Sequence, residues 1–245
     1  LFLAFQFVEK RTSNQLGQLA ESTIEEQLEE NDITYVELPK EPKNETYITG
    51  TNRVFSTSDL ELLKGQQPQL VSKTKLYSKF DQPIPIKENT STWLEGFAKA
   101  NVIEGSSYRF WGYEEQSNVL LFFQQYNGKP IFYNKNAVLF IFLNDKGEMV
   151  EYQQSLLEDI EEMKVEEDKT GSFTALKAIE NMYKRNELKP GSKVTTVELG
   201  YYTLIKDTQV FVPTWHLIID NKESYFVNAF EGHIIRDVAK WSEES

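Results

Sequence analysis

Apolar residues recur at three- and four-residue intervals over 12–30: Leu16, Leu19, Ala20, Ile24 and Leu28, with Glu25, Glu26, Glu29 and Glu30 on the other side. That spacing predicts an amphipathic helix, ended by Asn31-Asp32. Before it, Leu1, Phe2, Leu3, Ala4, Phe5, Phe7 and Val8 form an apolar run interrupted only by Gln6 and stopped by Glu9-Lys10-Arg11. Eight residues fall short of the roughly 20 that cross a bilayer. The run reads as the end of a transmembrane helix continuing into the acidic helix as a stalk, with a buried strand or a signal-peptide remnant as the other readings. Lys10 and Arg11 would pull toward the cytoplasm, but a large folded domain translocates largely regardless of such charges, so topology stays open.

Downstream, the period shortens to two. Residues 33–38 suggest a short strand, 46–55 a hairpin arm turning at Gly50, and 69–80 a strand with Leu70, Leu76, Tyr77 and Phe80 apolar. Ser58-Asp59 caps a short helix through Leu63, and Pro83 with Pro85 marks a linker. Thr92 and Glu95 have capping-box spacing for a helix to about Asn101, with Trp93, Phe97 and Ala100 as its stripe. Strands follow at 107–115, 118–127, 130–133, 137–144 and 148–157. Ser172 caps another helix, with the stripe Phe173, Leu176, Ile179 and Tyr183, and strands follow at 193–206, 209–219, 224–229 and 233–238.

The two stretches repeat one plan: a helix, then an antiparallel meander. Thr92 and Ser172, Pro130 and Pro213, and Gly147 and Gly232 stand about 80–85 residues apart, which points to duplication. Asp145-Lys146-Gly147 and Phe230-Glu231-Gly232 are the expected hairpin turns. The pattern predicts an α+β fold: two sequential helix-plus-antiparallel-meander units behind an N-terminal helical stalk. The divisions are 1–11, the anchor end; 12–87, an N-terminal helix and strands joined to the first unit; 88–168, the first unit; and 169–245, the second.

Composition removes several kinds of chemistry. The 245 residues contain no cysteine, so neither disulfides nor thiolate sites exist. Only His216 and His233 are available to a triad or a zinc site. Each stands four residues before an aspartate, Asp220 and Asp237, a separation of roughly 13 Å along a strand. Both read as ordinary structural histidines. A net charge of −12, from 26 basic and 38 acidic residues, argues against nucleic-acid binding. The run from Glu151 to Asp168 is strongly acidic but lacks EF-hand spacing and its bend glycine, so it reads as a solvated face or linker. Glu114-Glu115 and Glu158-Asp159 are adjacent pairs that a strand would turn to opposite faces, which disfavours glycosidase chemistry. Nucleotide-loop, nucleophile-elbow and zincin motifs are absent. The sequence therefore predicts no catalytic, cofactor-binding or metal-ligating residue. Aromatic residues crowd 108–133, and Tyr108, Phe110, Trp111 and Tyr113 are the candidate partner-docking surface, with a strand core as the alternative.

The apolar start running into a glutamate-rich helix, with the two meanders Lys129-Pro130-Ile131-Phe132 to Val150 and Val212-Pro213-Thr214-Trp215 to Ile235, resembles the YycI family across nearly the whole chain. The stretch from Val212 to Ile235 is also similar to a PepSY-type meander. The resemblance implies a non-catalytic, single-pass membrane protein with most of its chain outside the cytoplasm. It would act with the sister protein YycH to modulate, in the repressing sense, the essential cell-wall sensor histidine kinase YycG (WalK) of Gram-positive bacteria. Contact with the kinase would run through the transmembrane helix. An extracytoplasmic cell-wall ligand-binding protein or hydrolase, and a PepSY-like protease inhibitor, are the competing readings.

Overall fold

The computed structural model describes residues 22–40, 45–163, 174–203 and 209–236. The apolar run Leu1–Val8, the first part of the predicted stalk and the proposed cap Ser172 lie outside them. In chain order the elements are α1 (Ile24–Glu30), β1 (Thr34–Tyr35), β2 (Ile48–Asn52), α2 (Thr57–Leu62), β3 (Gln66–Ser72), β4 (Lys75–Pro85) and α3 (Ser91–Asn101). There follow β5 (Tyr108–Glu114), β6 (Val119–Tyr126), β7 (Lys129–Pro130), β8 (Val138–Leu143), β9 (Glu148–Ser155) and β10 (Leu157–Glu162). The chain closes with α4 (Ala175–Lys184), β11 (Lys193–Tyr202), β12 (Val210–Ile219), β13 (Glu223–Asn228) and β14 (Ile234–Arg236).

The fold is α+β, and each unit is a helix followed by a four-stranded antiparallel meander. After α3 come β5, β6, β8 and β9, neighbours in that order; after α4 come β11, β12, β13 and β14, also in order. The N-terminal region supplies extra strands to both: β3–β4 extend the first sheet beside β9, and β1 lies parallel to β11. After Ser155 the chain leaves the first sheet, and β10 pairs with β2, which also pairs with β12.

Period-two alternation stacks these parts into four layers. On β6, Leu120 and Phe122 face α3, where Leu94, Ala98, Leu139, Ile141 and Tyr152 complete a core. Leu121 and Phe123 face the other way, onto a second cluster with Phe132, Val138 and Phe226. On β12, Trp215, Leu217 and Ile219 pack against Ala178, Ile179 and Met182 of α4. The order is thus α3, first sheet, second sheet, α4. Strands β6 and β12, covered on both faces, read as nearly unbroken apolar runs for that reason. Burying a large core side chain stabilises by about 1.5–3 kcal/mol.

Several local expectations shift. Gly50 lies inside β2 rather than at a turn; a Cβ there would meet Ile160 Cγ1 at 3.3 Å, so the glycine admits close packing of β10. Pro83 and Pro85 belong to β4, beside a break in register between Lys79 and Ile84 that tolerates missing N–H groups. The expected strand at 69–80 is a hairpin, β3–β4. The cap of α2 is Ser56, in a reciprocal box with Asp59, rather than Ser58. The cap of α3 is Thr90, whose Oγ1 accepts from Trp93 N at 3.2 Å. Glu95 turns instead to accept from the Phe110 backbone N–H at 3.1 Å, and the buried stripe is Leu94 and Ala98. Thr174 caps α4. Within the expected acidic linker, Leu157–Glu162 is strand β10, anchored by buried Leu157.

Candidate functional site

The sequence-predicted docking residues all lie on β5, and the sheet divides them. Tyr108 faces α3, 2% exposed, and its hydroxyl donates to the Ser155 carbonyl at 2.6 Å. Burial pushes its ionisation up out of the accessible range. Phe110, half-buried, meets Phe122 edge-on at 5.3 Å. A register shift between Phe110 and Gly112 then adds a residue to the strand, and the half-buried Trp111 points toward the second sheet. Tyr113 is 50% exposed, and its hydroxyl lies 2.7 Å from Asn118 Oδ1. Tyr108 is therefore corrected from surface to core, because the face it shares with Phe122 is covered by α3; of the four, Tyr113 alone is classed as exposed.

Trp111 belongs to the seam between the sheets. Its ring lies 5.0 Å from Phe123, 5.3 Å from Phe132 and 5.0 Å from His216. Phe226 stacks on His216 at 4.7 Å. His216 is 2% exposed; its Nε2 lies 2.8 Å from Ser224 Oγ, and its buried Nδ1 has no hydrogen-bond partner. Burial lowers its pKa to about 4, so the imidazole is neutral at pH 7. His233 is exposed on the turn before β14. Among the described residues no group of three or more His, Asp or Glu is placed to hold a metal ion.

A cleft of about 540 Å³ lies beside β11, lined by residues of both sheets and of the loop before β2. Two ion pairs cross there. Arg109 of β5 binds Glu198 of β11, and Lys129 Nζ binds Glu45 Oε1 at 2.5 Å, with the Glu45 side chain 6% exposed. Lys40 also lines the cleft. Trp215 and residues Thr196–Leu199 also line it. Each carboxylate of this cleft is held by a cation. Among the described residues, the charged side chains of the cleft are thus largely engaged with one another. None of these residues forms a local sequence motif. Glu45 and Lys129 lie 84 positions apart, Arg109 and Glu198 lie 89 apart, and only the fold brings each pair together.

Gly200 explains how closely the units approach. A Cβ there would fall 2.3 Å from Phe132 Cε2 and 2.5 Å from the Pro130 carbonyl oxygen. Its absence lets the segment after β7 lie on β11, where Phe132 N–H donates to Tyr201 O at 2.8 Å and Ile131 bridges Tyr201 in parallel.

Among the described residues no helix is long and apolar enough to cross a membrane. Residues 13–230 match the family model described as "YycI protein". No curated protein matches the sequence. Among solved structures, an uncharacterized protein from Eubacterium rectale ATCC 33656 is similar, at 9% identity and TM-score 0.44, over 84% of this chain and 91% of that one. The Bacillus megaterium YpeB C-terminal domain is similar at 14% identity and TM-score 0.38, over 75% of this chain and 98% of that one. At those scores neither likeness carries an argument about function.

Proposed function

The chain belongs to the YycI family, a regulatory family of the YycG kinase system, and on that premise we propose that it is a non-catalytic, membrane-anchored extracytoplasmic regulator acting with YycH. The observation that carries this reading is the family match over residues 13–230. The cleft, whose carboxylates are tied into ion pairs, supports binding over catalysis. In this reading 1–11 ends a single-pass anchor, 12–87 joins that anchor to both sheets, and 88–168 and 169–245 are the two units. The anchor helix packs beside the kinase helices, and differential contact with two signalling states biases the kinase, in the repressing sense. YycH docks on the extracytoplasmic domain, and of the aromatic set Tyr113 offers the accessible contact beside the outer edge of β5.

The test uses membranes containing the protein with its native anchor, cross-linked and probed for the kinase and for YycH, alongside a version with an unrelated anchor. Capture of both, with the kinase lost on swapping the anchor, is the expected result. Capture of neither would overturn the reading.

A further inference from the structure

We propose that the tip of the β3–β4 hairpin docks on an anionic lipid surface, its exposed apolar side chains entering the headgroup region while the lysines beside them contact lipid phosphates. The inference rests on the regulatory reading in one respect only, that a membrane lies near the domain.

The hairpin turns at Lys73-Thr74, with Ser72 opposite Lys75 and Leu70 opposite Leu76. The register shifts between those two pairs, which leaves Val71 without a residue opposite it on β4. A bulge of this kind on an outer strand re-aims a side chain. Val71 is 59% exposed, and Leu70 beside it is 41% exposed. Phe55 N–H donates to Lys73 O at 2.9 Å, which brings Val54, 58% exposed, to the same tip. The base beneath is firm, since Phe55, Leu76 and Phe80 are buried in the core under α3. Single exposed apolar residues are ordinary on a protein surface. Three that converge on one tip, one of them in a bulge, mark a contact surface.

Charge identifies the occupant. Residues 62–80 contain Lys64, Lys73, Lys75 and Lys79 and no acidic residue, on a chain of net charge −12. Lys79 lies opposite Glu151 of β9, and Tyr77 donates to that carboxylate at 2.6 Å. Toward the tip, β9 presents Gln153 and Gln154 opposite Tyr77 and Leu76. Asp59 and Glu104, which approach Val54 through Arg53, face that guanidinium at 2.8 and 4.0 Å. An anionic surface would therefore orient this basic end toward itself. The strand edge is a poor template for another chain, because β3 carries Pro68 and lysine flanks it, as in edges that avoid pairing. A lipid surface needs no such template. Its interfacial zone accepts short apolar side chains and lysine stems, and its phosphates accept the ammonium groups.

The chain contains no cysteine, so Val71→Cys supplies a single labelling site, and a nitrobenzoxadiazole group attached there brightens on entering lipid. The labelled 245-residue protein is titrated with vesicles of phosphatidylcholine alone and of a two-to-one mixture of phosphatidylcholine with phosphatidylglycerol. Emission is expected to rise on the mixed vesicles and not on phosphatidylcholine. A label at Tyr113→Cys, on the opposite edge of the sheet, should stay unchanged. Lys73→Gln with Lys75→Gln should raise the lipid concentration at half the gain by roughly 25-fold, each lysine near an anionic surface counting for about fivefold. Residues 1–11 are the same in every version, so the comparison isolates the hairpin. No rise on the mixed vesicles, an equal rise on phosphatidylcholine, an equal rise from the Tyr113→Cys label, or indifference to the lysine changes would each overturn the proposal. So would a rise with soluble polyglutamate, which would assign the tip to an acidic protein partner, or with glycerol phosphate alone. The readouts involve neither kinase nor YycH, so their failure is separable from failure of the regulatory reading.

Discussion

His216 makes the seam sensitive to acid, by an amount that can be worked out. Its ring is enclosed by Trp111, Phe132 and Phe226, and its one hydrogen bond is to Ser224. The charged groups nearest in the ladder are Glu198, its partner across β11, and Arg109, which neutralises that glutamate. Tyr133 and Tyr202 of the same seam, their ionisation raised by burial, stay uncharged in acid. The pKa falls from 6.5 to about 4 because burial penalises the imidazolium. The folded state therefore takes up its proton later than the unfolded chain. The unfolded chain binds more protons between those two values, so stability is complete above about pH 6.5 and falls as pH drops toward 4. A difference of 2.5 units at 1.36 kcal/mol each gives a loss of about 3 kcal/mol across that window. Urea unfolding of the wild type and of His216→Phe, measured between pH 7 and pH 4, isolates this contribution, because the other titrating groups are common to both. The phenylalanine variant keeps an aromatic ring in the seam and loses the Ser224 bond, at about 1 kcal/mol at pH 7. The stability gap should then close and reverse as pH falls. Parallel pH profiles for the two proteins would refute the reasoning.

Three further outcomes follow from the packing. Gly200→Ala forces a methyl group into the Phe132 ring and the Pro130 carbonyl, and should cost at least about 2 kcal/mol by urea unfolding. Lys129→Met leaves the Glu45 carboxylate buried without its cation and should lower stability by about 3 kcal/mol at pH 7 by the same unfolding measurement. Tyr108→Phe removes the bond to the Ser155 carbonyl for about 1 kcal/mol, while Tyr113→Ala, at a half-exposed side chain, should stay within about 0.5 kcal/mol; calorimetric melting of both variants separates the buried from the exposed position.

The meanders were legible because alternation and turn chemistry are local. Gly147, at φ 74°, and Gly232, at φ 67°, sit in the turns where the sequence places them, and most strand limits agree within a few residues. The helix caps were displaced by two residues because several hydroxyls stand side by side in Ser56-Thr57-Ser58 and in Thr90-Ser91-Thr92, and spacing cannot choose among them. Pro83 and Pro85 misled because the tolerance of a strand for proline depends on a register break set by β9. The seam was not legible. Whether Trp111 or Tyr113 points inward depends on one extra residue in β5, and the ion pairs join positions more than 80 residues apart. The continuous apolar runs of β6 and β12 did hold the clue that both their faces are covered.

Strand β2 has a consequence for how the protein comes into being. It pairs with β10, which lies more than 100 residues downstream, and with β12, about 160 residues downstream. Ribosomes deliver about 5–20 residues per second, so the amino-terminal arm waits for roughly ten seconds or more, its strand edges bare, before its last partner emerges. The first meander can close while the rest is still being made, but the arm that stitches it to the second cannot. Until β10 and β12 have emerged, that arm keeps an unpaired strand edge, the kind of edge along which chains associate.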